Sequence, residues 1–535
     1  MENSRNRLKS GVLSLNPISG VLGFDKAKHL LNRCMFGARQ SEIEFMQTKT
    51  ISEALDYLMQ EPAEPLSPPL GYSTKDEEVP VGTTWVNTKY NSKYRYHRKT
   101  SYTHWWLGRM LNQDVSLQEK MVLFWHNHFV IETDVVRNTN FHYRYNTLLT
   151  ENALGNFKEL AKEMTVNVGM LKYLDGDHNK VGAPNENYAR ELLELFTIGK
   201  GPLLEEGNYT NYTEHDIREA AKVLTGWKTN PNNDTSFFAS YRHDKSQKTF
   251  SNIFENYTIT NKEELEYKQL IDMIFRKKET ARFLVRKLYR WFVYYNIDEE
   301  IENSIIEPLA TLFYESNFEL KPVLKKLLSS EHFFDINFRG CMIKNPLEFT
   351  IGVLRQLEFP SPNGEDITEL YYFWNWIYYR TKIQDLEIGD PPDVAGWPAW
   401  YLEPNYNQLW INTASVPNRA KVISSVVAWG IRPKSEYKKL QFDPIEFVIK
   451  ITPSPSEIDI LIPALTNLLF PKQVSAEQIT ELKSVLIPGL PDSEWTIEWN
   501  RFVNNPDDVN QKKAVARRLI KLIGKICLMA EYQLI

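Results

Sequence analysis

The stretch TARFLVRKLYRWFVYY, residues 280–295, decides the fold class. Leu284, Leu288, Trp291 and Tyr295 recur at i, i+4, i+7 and i+11, the spacing of one helix face. Arg282, Arg286 and Arg290 form a separate basic row, expected on a solvated or salt-bridged face. The same period returns along the chain from 24–34 to 511–531, and alternating strand patterns are scarce. The pattern predicts an all-α fold: a large multi-helix array with long irregular loops and a smaller C-terminal helical region. Three segments interrupt it. Residues 61–92 are rich in proline, 228–258 in Asn, Ser and aromatics, and 386–412 carry PPDVAGWPAWYLEPNYNQLWIN. A break near 431–442 divides a main helical domain, 1–435, from the C-terminal helical region, 436–535.

A chain of 535 residues with 42% hydrophobic residues can bury a large core. The formal net charge of −5 gives no global pull toward nucleic acid or an anionic membrane. Cys34, Cys341 and Cys527 are far apart and form no CxxC pair, which fits a reducing compartment. The N-terminus MENSRNRLKSGVLSLNPISG lacks an apolar run of signal-peptide length, and no apolar stretch is long enough to span a bilayer. A cytoplasmic location is therefore expected. All ten histidines lie at or before His332, so any imidazole chemistry belongs to the first two thirds.

Several segments carry candidate chemistry. Phe124-Trp125-His126-Asn127-His128-Phe129 ends an apolar helix. Two histidines two apart on a helix are separated by about 200°, so they reach one site together only at a helix end. Each is a structural histidine or a ligand or acid/base group. In PNENYARELLELFTIG, Asn185 is an N-cap, and Arg190 is four residues from both Glu186 and Glu194. Glu191 lies on a different side. The choice is between a surface charge ladder and a helix that presents carboxylates to a site. Asp175, Asp177, Asn179 and Glu186 fall at positions 1, 3, 5 and 12 of a calcium-loop spacing, although Lys180 stands where that loop has glycine. Turn formation is the alternative reading of that loop. Thr213-Glu214-His215-Asp216 reads as helix capping. His243-Asp244, with Lys248, sits in the long 228–258 loop and offers a ligand, acid or base beside a cation. Trp397, Trp400 and Trp410 in the 386–412 loop form a candidate substrate-binding platform. No P-loop, GxGxxG, GxSxG or HExxH motif occurs, so no nucleotide cofactor is expected.

These motifs resemble, in order, a bacterial family known as domain of unknown function 1800. The matching pieces are Lys28-His29-Leu30-Leu31-Asn32-Arg33 with Phe36-Gly37, EKMVLFWHNHF, PNENYARELLELFTIG, YTEHDIREAAKVLTGW, and His243-Asp244 with Lys248. FLVRKLYRWFV, IKNPLEFTIGVLRQL, PPDVAGWP and the terminal AEYQLI follow. The resemblance implies a largely helical fold and no particular reaction. It also implies exported relatives, and a partner from a neighbouring gene whose product has a sulfatase-like fold. The chain departs from that pattern in lacking a recognisable signal peptide.

Two functions are carried forward. One is a metal-dependent hydrolase in which a metal activates water in a cleft between helices. His128, Glu191, His243 and Asp244 are its ligand or acid/base candidates, with His126, Arg190 and Lys248 as further catalytic candidates. The His/carboxylate set suits Zn, Mn or Fe on ligand type. The other is a non-enzymatic scaffold, chaperone or partner-binding protein with structural calcium at Asp175, Asp177, Asn179 and Glu186. In that case the aromatic 386–412 loop docks the partner. The two separate spatially: an enzyme gathers its His and Glu motifs in one pocket, whereas a scaffold leaves them dispersed in salt bridges.

Overall fold

The 280–295 pattern forms the helix Lys278–Phe292, with Leu284 and Leu288 fully buried and Trp291 nearly so. In the computed structural model, which describes residues 11–61, 66–205 and 208–535, the chain is 57% helical and 6% strand. The fold is all-α. Residues 62–65, inside the 61–92 loop, lie outside the described residues. Two of the three arginines of the basic row are salt-bridged: Arg282 binds Glu307 and Glu279, and Arg286 binds Glu279 and Glu302.

Helices pack mostly against neighbours in sequence. Gly23–Cys34 lies on Gln40–Gln47, Gln118–His128 on Thr139–Glu151, and Lys278–Phe292 on Glu307–Glu315. Longer-range layers come from Arg95–Asn112 against Ile367–Lys382, and from Pro346–Gln356 against Ile367–Lys382 and Ser415–Ser424. In the C-terminal region Val509–Leu528 is the central helix, touching Pro444–Ile451, Ala476–Leu486 and Ser493–Asn504. It also contacts Ser415–Ser424, and one apolar core runs from Leu22 to Tyr532.

Two long helical patterns are broken by caps. The 40–59 pattern becomes Gln40–Gln47 and Ile51–Leu58, because Thr50 and Glu53 close a capping box. The 153–173 pattern becomes Phe157–Thr165 and Val168–Tyr173, restarted by the Asn167 side chain. The helix Thr139–Glu151 buries Phe141, Tyr145 and Leu149 together with the polar Asn140, His142, Asn146 and Thr150, so its apolar stripe is mixed. The 228–258 loop holds an antiparallel hairpin, Trp227–Asn230 with Thr235–Phe238.

Two glycines permit close approach. Gly37, at φ +87°, lies where a Cβ would come within 2.6 Å of Gly352 Cα on the helix Pro346–Gln356. Gly396, at φ +97°, lets the 386–412 loop lie on Asn127, whose Oδ1 accepts from Trp397 N at 2.9 Å. Beside the first contact Arg355 is buried. Its Nε donates to Gly37 O, its Nη1 to Leu111 O and Gln113 O, and its Nη2 to Glu42 Oε1 at 2.7 Å. Burial lowers the Arg355 pKa to about 10, against the pull of Glu42. Glu42→Gln leaves that guanidinium buried without a counter-charge. It is expected to cost about 3–5 kcal/mol in chemical denaturation; a loss below about 1 kcal/mol would show that the backbone carbonyls suffice.

Candidate functional site

The histidine motif splits across two environments. His126 is fully buried, with Nδ1 3.0 Å from the Tyr145 hydroxyl, which donates its own proton to Phe129 O at 2.5 Å. His126 Nδ1 therefore carries the ring proton, and Nε2 is left among the rings of Trp106 and Trp397. Burial pulls its pKa down to about 3. His128 Nε2 lies 3.0 Å from Phe196 O, and its Nδ1 accepts from Lys287 Nζ at 3.1 Å. Lys287 Nζ also donates to Leu195 O at 3.2 Å. Both carbonyls belong to the π-helical turn Leu192–Thr197 that follows Glu186–Glu191. The wide turn breaks the regular ladder, and His128 and Lys287 supply donors to its carbonyls. Burial drives the His128 pKa well below its usual value and lowers Lys287 to about 7.

The charged motifs are also spoken for. Arg190 grips Glu214 with both terminal nitrogens, at 2.6 and 2.7 Å. Glu194 binds Lys200 and the Tyr212 hydroxyl. His243, Lys248 and Glu266 form a buried triad: His243 Nε2 is 3.1 Å from Glu266 Oε1, and Lys248 Nζ is 2.7 Å from Oε2. Burial alone would raise the Glu266 pKa, but hydrogen bonds from His243, Lys248 and the Lys262 amide hold it below the usual value. Asp244 turns away from the triad and accepts from Ser246 N and Oγ. Among the described residues no hydrogen bond or ion pair joins His128, Glu191, His243 and Asp244.

Glu191 is half-buried and has no hydrogen-bond partner among the described residues. Burial raises its pKa, followed by the nearby charges of Glu194 and Asp393. Asp393 comes from PPDVAGWP and also acts on Tyr173, whose hydroxyl donates to Glu132 at 2.6 Å. The fold thus brings Glu191 toward Asp393, a residue that sequence patterning passes over.

The calcium-loop residues meet different surroundings. Asp175, Asp177 and His178 offer ligand atoms within 4.8 Å of one another. Asn179 is buried, with Nδ2 donating to Ala221 O and Oδ1 accepting from Asn185 N. Asp177 Oδ2 accepts from Thr229 Oγ1, and Glu186 is the exposed first residue of its helix.

The aromatic loop does build a pocket. Trp400 and Trp410 line it together with Arg290, Trp291, Tyr295, Ala399, Tyr406 and Asn407, while Trp397 is buried beneath. Trp291 stacks obliquely on Trp400 at 4.7 Å, and Trp410 meets Trp400 edge-on at 5.3 Å. Met342, Ile343, Asn345, Glu348 and Ile535 complete the walls. The pocket holds about 30 Å³, room for roughly two to three water-sized groups.

A family model described as "Protein of unknown function (DUF1800)" matches residues 29–534. The chain belongs to the DUF1800 family. Comparison with curated proteins and with solved structures gives no match. The DUF1800 pocket is assembled from the segments YRWF, IKNPLE, GWPAW and the chain end, which lie far apart in sequence. Arg290, Trp291 and Asn407 sit inside ordinary amphipathic or loop patterns, so no local signal singles them out. No helix among the described residues is long and apolar enough to cross a membrane.

Burial lowers the pKa of five enclosed histidines: His29, His104, His126, His128 and His142. They stay neutral when folded and take up protons when unfolded. Their contribution to stability is complete above the unfolded value near 6.5 and is lost as pH falls below it. Denaturation midpoints are expected to drop steeply from pH 7 to pH 5, by about 1.4 kcal/mol per histidine per pH unit at most. A flat profile over that window would contradict neutral, buried rings.

Proposed function

We propose that this DUF1800 chain is a helical binding protein. Its ligand site is the Trp291/Trp400/Trp410 pocket, and its ionic motifs hold helices together. One observation carries the reading: Trp291, Trp400 and Trp410 wall a cavity of about 30 Å³ together with Arg290, which makes a single hydrogen bond, from Nε to Tyr295 O, among the described residues. Aromatic walls beside an incompletely engaged guanidinium favour an occupant that gains apolar contact and a charge-assisted hydrogen bond.

The motif residues support this reading by their engagements. A metal-activated hydrolase built on His128, Glu191, His243 and Asp244 would have to release His128 from Phe196 O and Lys287, and His243 from Glu266. Those contacts join separate segments of the chain, so breaking them carries the cost of buried polar groups left unpaired.

The test is thermal denaturation of wild-type protein and Trp400→Ala in the presence of small probes. The panel comprises short alcohols, amides, amines and carboxylic acids, with glucose as a bulky contrast. At 100 times its dissociation constant a bound probe adds about 2.7 kcal/mol. At least one small class is expected to raise the wild-type melting temperature and leave Trp400→Ala unchanged. If no class does so, and chelator lowers the melting temperature of wild type but not of His128→Ala, the binding reading gives way to a metal site.

A further inference from the structure

We infer that Asp175, Asp177 and His178 form a site for a divalent transition ion of the zinc class, apart from the tryptophan pocket. The three side chains converge on the short turn Gly176–His178. His178 Nδ1 lies 3.1 Å from Asp177 Oδ1 and 3.6 Å from Asp175 Oδ1, and the three residues offer ligand atoms within 4.8 Å of one another. With bonds of about 2.0–2.2 Å, ligand atoms on one zinc ion stand roughly 2.9–3.5 Å apart. The cluster is close to that spacing. The two outer groups are free to close on an ion, because the His178 and Asp175 side chains are 70% and 76% exposed.

Asp177 is the anchor. Its side chain is only 10% exposed, and its Oδ1 makes no hydrogen bond among the described residues. The other oxygen is fixed: Oδ2 accepts from Thr229 Oγ1 at 3.0 Å and from Lys172 Nζ at 3.4 Å. Such bonds orient ligating carboxylates. Oδ1 is thereby held facing the His178 ring nitrogen. A carboxylate oxygen and a bare imidazole nitrogen are both acceptors, so at 3.1 Å they repel unless a proton or a cation stands between them. A transition ion is smaller than a water molecule, and a place among three ligand atoms needs no preformed void.

Charge and donor type select the ion. Asp175 and Asp177 bring two negative charges. Lys172 offsets one at Asp177, and Arg242, whose Nη2 donates to His178 O at 3.2 Å, brings a second cation to the turn. Little net negative charge remains to hold calcium, which also takes six to eight oxygens. One imidazole with two carboxylates suits a borderline ion bound through directed donors, with water in the open position. A bound ion would tie the turn to the helix Val168–Tyr173 through Lys172 and to the hairpin strand Trp227–Asn230 through Thr229.

Calorimetric titration of the full, untagged, metal-stripped chain tests the inference with Zn2+, Ca2+ and Mg2+ as probes. Wild type is expected to take up one Zn2+ per chain and to bind the other two ions more weakly. His178→Ala and Asp175→Asn each remove an exposed ligand, so their metal-free melting temperatures are expected to match wild type. Each is expected to weaken Zn2+ by at least about tenfold, since even outer-shell changes cost roughly 10–100-fold. His215→Ala removes the other exposed histidine and is expected to leave uptake unchanged. Chelator is expected to lower the melting temperature of zinc-loaded wild type and to leave that of His178→Ala where it was. Absence of Zn2+ uptake overturns the inference, in which case a proton alone joins His178 to Asp177. Uptake that survives His178→Ala overturns it as well. Ca2+ bound more tightly than Zn2+ overturns it in favour of the calcium-loop set. Each of these failures leaves the tryptophan pocket to be judged by its own probe panel.

Discussion

The buried ion pair between Lys120 and Glu348 is the constraint on which the centre of the molecule depends. Lys120 is 1% exposed and reaches across from Gln118–His128 to the first turn of Pro346–Gln356. Glu348 also closes the capping box with Asn345, so one carboxylate both starts a helix and neutralises a cation. An ammonium this deep in a low dielectric needs its partner, because removing one member of such a pair costs about 3–5 kcal/mol. The pair fixes the spacing of two helices, and Trp291, 5.8 Å from Lys120 Nζ, packs into the gap between them.

The same logic runs through the other ionic motifs. Arg355 with Glu42, Arg190 with Glu214, and Lys248 and His243 with Glu266 each join segments distant in sequence. A helix array meets itself along polar as well as apolar faces, and each buried charge must find a partner at the crossing. His128 and Lys287 do the equivalent task for backbone, serving carbonyls at a π-helical turn. In this structure each of these side chains faces a partner on another segment. The aromatic pocket stands apart from these pairings, where three tryptophans meet beside Arg290.

Much of the helical architecture was legible because amphipathic period is a local property. TARFLVRKLYRWFVYY needs only its own 3.6-residue repeat to declare a helix and its buried face. The helix Thr139–Glu151 is harder to read, because Asn140, His142, Asn146 and Thr150 are buried beside Phe141, Tyr145 and Leu149 and blur the stripe. The site was far less legible. Trp400 and Trp410 could be singled out by the density of aromatics in one loop, yet Trp291, Arg290 and Asn407 belong to other segments with no local mark. Glu191 could be separated from its neighbours by helix angle, but not its approach to Asp393 about two hundred residues away.

By itself the sequence determined most of the helices, the loop segments and the family, because each is written in short-range spacing or in ordered motifs. Tertiary structure alone decided which groups the polar residues face. Whether His128, Arg190 or Lys248 is a reactive group or a structural one depends on what stands opposite it after folding. The cost of burying an unpaired charge or donor makes that pairing, and not residue type, the deciding term.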